Sequence, residues 1–542
     1  MKKDKQKSAA GQKTLCGAPI NPMPKSLPHQ TMSICPECHA KIEATLFAEN
    51  GKVYMQKECA EHGRFKELVF SDEQMYLRAL NWHYDIGNGV SNPAIPKATS
   101  CPDDCGMCDL HVSHTVLANV DLTNRCNLQC PICFANANIQ DYIFEPSLEE
   151  VRKMLQTLRD ERPVAGRVVQ FAGGEPTLHP DWFAILKMAN DMNFAHVQCA
   201  TNGIKFAEPD FADRSKEAGL HTLYLQFDGV DPKVYKETRG SEKVFDIKLK
   251  AIEYIRRAGI KIVYVPTIAK GINDHQVAPI LKFALDNIDV SSGISYQPVA
   301  LTGRYEESKR ESMRYTLSDL AHDVNSLGYS KDEDWFPLSC TSPISQLISA
   351  FRGDPTCHIT CHPTCGIGTY FFVDQNKKPT PITSFVDVKS ILDEMQKKAE
   401  KLEKSSSFKG VFKLLTGAGA MASMKKHFRE DKAPEGLSFT RFLQTIEGLL
   451  DKKAGRGTMD GTYTYKTLLV AGMHFMDSYN YDIERVKRCV IHYAAPDGKL
   501  YPFCAYNSGL VFREKIEQQF SVPKSEFYKN RRAGKTSDLI EL

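Results

Sequence analysis

Between residues 116 and about 300 the chain alternates short apolar runs with longer stretches whose apolar positions recur every three to four residues. The short runs are Val116–Leu122, Arg167–Phe171, His196–Ala200, Thr222–Phe227, Lys261–Ile268 and Ile294–Val299. Helical periodicity lies between them, as in Leu148–Arg159, Trp182–Met192, Val244–Ala258 and Val277–Leu285. Strand and helix in strict alternation predict βα units around a parallel sheet. Six such units make an α/β fold, a partial (β/α)6 TIM-type barrel with ligands at the C-terminal strand ends. The unusual residues sit at those ends: Cys126, Cys130 and Cys133 after the first strand, Gly173-Gly174-Glu175-Pro176 after the second, Thr201-Asn202-Gly203 after the third, and Asp228-Gly229 after the fourth.

Outside this stretch the pattern changes. Residues 1–30 are polar and rich in proline and read as a flexible lead-in, with Cys16 alone in it. Residues 31–110 form a second unit: a Cys35-Pro36-Glu37-Cys38 knuckle, an alternating strand, a turn at Gly51, a strand from Val53 to Lys57, then Cys59 and His62-Gly63. The barrel takes 111–304, and 305–542 is a C-terminal region opened by a charged, helical connector over 305–335 that reads as solvated. Further on, Phe408, Val411, Phe412 and Leu415 make an apolar stripe opposite Lys409 and Lys413, continued by Met421, Met424 and Phe428. Such a stripe suits an anionic membrane surface or an ordinary buried helix face. Near the end, Pro496-Asp497-Gly498 is a turn that sets Cys489 and Cys504 at the two ends of a hairpin.

Composition narrows the class of protein. The 542 residues are 42% hydrophobic and 25% charged, ordinary for a globular chain, and long enough for three or four domains. A net charge of +3 gives no global field for nucleic acid, so no nucleic-acid partner is expected. The basic start has no apolar segment after it, and no apolar run reaches the roughly 18–20 residues that span a bilayer. The expectation is a cytoplasmic protein, soluble or peripheral at the cytoplasmic membrane face. Seventeen cysteines are the outlier. In a reducing compartment, closely spaced cysteines indicate metal ligands rather than disulfides.

Cys126, Cys130 and Cys133 have C-x3-C-x2-C spacing. Three thiolates from one loop can hold three corners of a [4Fe–4S] cluster and leave the fourth iron open; a zinc knuckle is the plainer alternative. Knuckle, hairpin and a further ligand in 35–59 fit one tetrahedral metal, with His62 or a distant cysteine as fourth ligand. Cys101, Cys105 and Cys108 repeat the C-x3-C-x2-C spacing, and Cys357, Cys361 and Cys365 follow Cys340 at x3 spacing.

The cysteine loop with Phe171-Ala172-Gly173-Gly174-Glu175-Pro176 on a six-unit barrel resembles the radical S-adenosylmethionine superfamily. That resemblance implies a cluster whose open iron binds the methionine moiety of S-adenosylmethionine. It also implies a 5′-deoxyadenosyl radical as hydrogen abstractor, and an electron donor such as ferredoxin or flavodoxin. It makes Cys126, Cys130 and Cys133 catalytic. Gly173, Gly174, Glu175 and Pro176 become cofactor-binding, with Ile132, where an aromatic is commoner, against the adenine. Thr201, Asn202 and Asp228 at the neighbouring strand ends join them. Leaving out the radical-loop cysteines, Cys16, and Cys199 inside a strand, twelve cysteines remain. They are Cys35, Cys38, Cys59, Cys101, Cys105, Cys108, Cys340, Cys357, Cys361, Cys365, Cys489 and Cys504. Twelve thiolates suit one mononuclear iron or zinc and two auxiliary [4Fe–4S] clusters.

The run of motifs from the ribbon through Cys361-His362-Pro363 to Cys489-Val490-Ile491-His492-Tyr493 and Tyr501-Pro502-Phe503-Cys504 is similar to the tetraether lipid synthase group, also described as class D radical S-adenosylmethionine methyltransferases. That similarity implies coupling of terminal methyl carbons of two lipid chains by a C–C bond, with a membrane lipid as substrate and peripheral membrane contact. Two other functions stay open: methyl or methylene transfer to a pterin-like or other small heterocycle, and a non-enzymatic metal-binding module. Lipid coupling requires a long apolar tunnel; a small heterocycle requires a compact polar pocket.

Overall fold

A computed structural model describes residues 14, 16–18, 20–84, 87–404, 419, 421–422, 424–450, 466–529 and 538–540. The N-terminal unit is a four-stranded antiparallel meander of β1 (His29–Ile34), β2 (Lys41–Glu49), β3 (Lys52–Cys59) and β4 (Gly63–Phe70). In β3 every second residue, Val53, Met55, Lys57 and Cys59, is buried, the period-two pattern of a sheet with one covered face.

The α/β unit starts with β5 (Leu117–Thr123). A short β6 (Tyr142–Phe144) precedes β7 (Val168–Gly173), β8 (His196–Thr201), β9 (Thr222–Gln226), β10 (Lys261–Val265), β11 (Thr267–Ile268) and β12 (Ser291–Pro298). β5, β7, β8, β9, β10 and β12 pair in parallel, in that order, as the alternating pattern predicts. The intervening helices run Leu148–Asp160, Trp182–Asp191, Lys243–Arg257 and Val277–Asp286. The first is started by a capping box between Ser147 and Glu150 and buries Val151, Met154, Leu155 and Leu158 on the sheet.

Beyond residue 304 come β13 (Phe336–Pro337), β14 (Gly366–Val373), β15 (Pro379–Pro381), β16 (Lys466–Met473), β17 (Ile491–Ala494), β18 (Leu500–Pro502) and β19 (Ser521–Pro523). Two of these complete the parallel run from either side: β16 pairs with β12 and β17 with β5, both in parallel. The described strands form an open path ending at β13 and β18, and the sheet does not close into a barrel.

The connector expected to be solvated is packed instead. Its helix Leu317–Asn325 buries Leu317, Leu320, Ala321 and Val324, and Arg314 before it is 3% exposed. Of the apolar stripe, Phe408, Val411, Phe412 and Leu415 lie outside the described residues. Phe428 is buried against Phe385 and Phe442 in the chain's own apolar core. None of the described helices is long and apolar enough to cross a membrane.

Candidate active site and metal centres

At the C-terminal ends of the parallel strands the second strand's glycines lie against the backbone that leads into the cysteine loop. The Gly174 amide donates to the Thr123 carbonyl (2.7 Å) and the Glu175 amide to that of Arg125 (2.8 Å). A Cβ on Gly173 would stand 2.3 Å from the Thr123 oxygen, and φ there is +124°. Only glycine allows that approach and that conformation together. Glu175 is buried and fully engaged: it accepts from the hydroxyls of Thr177 (2.6 Å) and Thr201 (2.8 Å) and from the Asn202 amide (2.8 Å). Burial raises its pKa while these donors hold it down. The Asn202 side-chain nitrogen in turn donates to the Asn127 side-chain oxygen (2.7 Å), so one chain of hydrogen bonds joins the ends of β7 and β8 to the loop.

The cysteine loop has its own fastenings, which sequence reasoning missed. Asn138 accepts from the Cys126 amide (3.0 Å) and donates to the carbonyls of Cys126 (2.9 Å) and Leu128 (3.0 Å). Arg304 donates to the carbonyls of Cys130 (2.8 Å) and Ala137 (2.7 Å). Arg239 donates to that of Ile132 (3.2 Å). Asp228 is not among the residues that line the cleft; it holds Arg239, which does, at 2.6 and 3.0 Å. Burial works to raise the Asp228 pKa, but the guanidinium outweighs it and holds the carboxyl below its usual range. The only trace of Asn138 in the sequence is an asparagine where the backbone turns left-handed, φ +70°. Nothing in the spacing marks the two arginines.

Cys126, Cys130, Cys133, Ile132, Gly173, Gly174, Thr201 and Asn202 share one cleft, whose empty space out to its open mouth is about 1470 Å³. Its wall carries the carboxamides of Asn119, Gln170, Gln226, Gln297 and Asn507, together with Arg239 and Arg304. The Gln226 carboxamide reaches the buried Asp228 carboxylate, and the buried Asn119 nitrogen has no partner among the described residues. At the far side Phe475 and Phe503 stack at 3.8 Å, with Tyr493 tilted on Phe503. Burial pushes the thiols of Cys126 and Cys130 up; Cys126 also feels Cys130 and Cys133, while Arg239 pulls Cys130 back down.

The two kinds of metal site differ in geometry. In the meander the ligand atoms of Cys35, Cys38, Cys59 and His62 all lie within 4.8 Å of one another. Metal–sulfur bonds near 2.3 Å and metal–nitrogen bonds near 2.0–2.1 Å at tetrahedral angles put sulfurs about 3.8 Å apart and sulfur from nitrogen about 3.6 Å. The observed separations are 3.8 Å for Cys38–Cys59, 3.7 Å for Cys35–His62 and 3.6 Å for Cys59–His62. These four residues fit a single tetrahedral ion, with His62 rather than a distant cysteine as fourth ligand; the signal was the Cys59-x2-His62 spacing. The radical-loop sulfurs are not gathered that tightly. A cubane holds its thiolates farther apart than one ion does, so three sulfurs too far apart for a single ion are compatible with a cluster.

Cys101, Cys105, Cys361 and Cys504 share one buried cluster, with Cys365 and Cys489 packed against it and Cys108 close to Cys105. Cys105, beyond its burial, feels Cys101, Cys108 and Cys489; Cys489 feels Cys504 and Cys365; Cys361 feels Cys365 and Cys489. Cys489 and Cys504 flank the β17–β18 hairpin, as the turn at 496–498 predicts. Cys340 and Cys357 lie apart from this group. Beyond burial, Cys340 feels Lys389, and Cys357 feels Arg167 and Glu161.

Three cysteines on one loop, glycines packed on it and a cleft beside them at the strand ends are the features of a radical S-adenosylmethionine protein. The Radical SAM superfamily model matches residues 120–284, and the model of the HMPTM N-terminal zinc ribbon domain matches residues 27–71. The chain is 40% identical over 513 residues to the 7,8-dihydro-6-hydroxymethylpterin dimethyltransferase of Methanocaldococcus jannaschii, covering 94% of this chain and 99% of that protein. It therefore belongs to the family of that protein. The AdoMet-dependent heme synthase of Nitratidesulfovibrio vulgaris is 29% identical over 162 residues, 30% of this chain and 42% of that one. Streptococcus suis SuiB superposes with a TM-score of 0.33 at 15% identity, over 55% of this chain and 68% of that one, too loosely to argue from.

These findings overturn the lipid-coupling expectation. A relative matching nearly the whole chain is a pterin dimethyltransferase, and neither the tetraether assignment nor the lipid substrate has support. The motifs behind that assignment are metal ligands and their neighbours, which report how a cluster is held and not what lies beside it.

Proposed function

We propose that this chain is a radical S-adenosylmethionine methyltransferase acting on a pterin-type heterocycle. The observation that carries the reading is the lining of the cleft beside the cysteine loop. The carboxamides of Asn119, Gln170, Gln226, Gln297 and Asn507 line it together with Arg239 and Arg304, and polar groups of this kind are costly to cover unless a ligand pairs with them. A flat ring bearing alternating donors and acceptors meets that need, and the Phe475, Phe503 and Tyr493 rings offer it a stacking surface. A lipid chain would leave the same atoms unsatisfied. The substrate of the family relative in Methanocaldococcus jannaschii agrees with this chemistry.

When loaded, the cluster and S-adenosylmethionine supply the one-electron chemistry that no side chain can. The chain's own residues do the rest. Cys126, Cys130 and Cys133 would hold the cluster, and Gly173 and Gly174 keep backbone close to the site. Asn138, Arg239 and Arg304 fix the loop carbonyls. Cys35, Cys38, Cys59 and His62 would hold zinc or iron in the ribbon, and the cysteines gathered with Cys489 would hold auxiliary iron–sulfur.

The test is methyl transfer by the reconstituted protein to 6-hydroxymethyl-7,8-dihydropterin, with an isotope-labelled one-carbon donor and a chemical reductant. The expected product carries the labelled carbon as one or two added methyl groups, and Cys130→Ala forms none. Consumption of S-adenosylmethionine with no change in pterin mass would overturn the reading.

A further inference from the structure

The metal ribbon is joined to the cleft through buried charge. Glu67 on β4 accepts from Arg314 Nε at 2.9 Å and also pairs with Arg310. Arg314 turns its two terminal nitrogens to Asp477, at 2.7 and 3.3 Å. Asp477 accepts the Leu301 amide at 3.0 Å. Arg314, Asp477 and Glu67 are 3%, 0% and 6% exposed, so none of these contacts is shared with solvent.

The same ribbon face holds the segment after β16 at three more points. Ser33 Oγ donates to the Tyr481 carbonyl (2.5 Å), Lys57 Nζ to that of Ser478 (2.8 Å), and Thr31 Oγ1 to the Asp482 carboxylate (2.9 Å). Ser33 lies on the strand that leads into the ligand Cys35, and Lys57 on the strand that ends in Cys59. Just before Asp477, Phe475 and Met476 line the cleft, and the Met476 amide donates to Cys504 Sγ at 3.4 Å. Val299, Ala300 and Thr302, around the amide that Asp477 holds, also line it.

We propose that the ribbon's metal ion sets one wall of the cleft, and that Arg314 is the positioning residue that transmits it. Without the ion, the ends of β1 and β3 lose their shared anchor, and with it the register of Ser33, Lys57 and Glu67 against 474–482. Arg314 makes the connection specific because its planar fork satisfies two carboxylates on different units at once, which a lysine cannot do. Its significance for the heterocycle rests on the cleft reading above; the coupling itself does not.

The test is amide hydrogen exchange across the whole holoprotein without any heterocycle, with zinc and iron content measured in parallel. Two variants are used: Cys38→Ser, at the exposed ligand of the ribbon, and Glu67→Gln, which weakens the link without touching a ligand. In Cys38→Ser, loss of the ribbon metal is expected to speed exchange in 474–482 about tenfold while β7 and β8 keep their protection. Glu67→Gln is expected to loosen the same segment with ribbon metal retained. Unchanged exchange at 474–482 in a Cys38→Ser protein that has lost its ribbon metal overturns the proposal. So does loosening that spreads equally to β7 and β8. Failure of pterin methylation with the exchange pattern intact would count against the cleft reading alone.

Discussion

Gly174→Ala is the sharpest perturbation of the candidate site, because its size follows from backbone contacts. An added Cβ would lie 2.3 Å from the Arg125 carbonyl oxygen and 2.7 Å from its carbon, where ordinary contact begins at 3.4 Å. Neither atom belongs to a flexible side chain, so the loop must retreat by about 1.1 Å. That stretches the Gly174–Thr123 and Glu175–Arg125 hydrogen bonds beyond bonding distance. At about 1 kcal/mol for each, roughly 2 kcal/mol of local stability goes with them. The larger effect is on chemistry, since Arg125 is bonded to Cys126, and a misplacement of about 1 Å costs about a hundredfold in rate. The assay is formation of methionine and 5′-deoxyadenosine at saturating S-adenosylmethionine and reductant, with iron counted in parallel. Gly174→Ala is expected to keep its iron and fall about a hundredfold in rate. Gly419→Ala, where the backbone is not left-handed and an added Cβ comes no nearer than 4.0 Å to the end of the Lys398 side chain, controls for the general effect of adding a methyl group. A Gly174→Ala protein with full iron content and a rate within about threefold of the parent would falsify the claim that this contact places the loop.

Two further outcomes are expected. Asn138→Ala removes three hydrogen bonds from the cysteine loop, about 3 kcal/mol of local restraint. Iron–sulfur absorbance should then bleach roughly tenfold faster in air, and an unchanged bleaching rate would show that the loop is held by other contacts. Glu517 is buried beside Asp121, with Arg513 as their shared cation, and burial raises its pKa to about 7 against the ordinary 4.5. The folded state therefore keeps a proton that the unfolded chain has released, so this group's contribution to stability falls as pH rises from about 4.5 to 7. Glu517→Gln should gain stability over the parent progressively across that interval, read as a midpoint difference larger at pH 8 than at pH 5. Equal differences at both pH values would exclude this titration.

The parallel strands were legible because one face of each is fully buried, so Val120, Phe171, Val197 and Leu223 stand in short apolar runs, while the other face lines the cleft. The radical loop was legible because three thiolates on one loop need close spacing. What local pattern could not carry was partnership at long range. The pairing of β16 with β12 and of β17 with β5 joins residues more than 170 positions apart, and an apolar run does not name its neighbour. The cysteine arithmetic met the same limit: counting thiols in sets of four left His62 undecided, at a site where the fold brings its nitrogen to three sulfurs. Arg239, Arg304 and Arg314 were invisible, since an arginine that binds carbonyls or carboxylates inside a protein looks in sequence like one facing water.

The placement of β16 and β17 also bears on the order in which this protein can be made. Residues 117–298 leave the ribosome with the outer edges of β5 and β12 unpaired, and the strands that cover them come only at 466–473 and 491–494. Until then the nascent sheet presents two apolar edges, the kind of template that recruits another chain. A fragment cut at the end of the sixth strand would keep those edges permanently. The radical unit of this chain is therefore not an independent module to be excised, fused or expressed alone: its last stitches are sewn after four-fifths of the polypeptide has been synthesised.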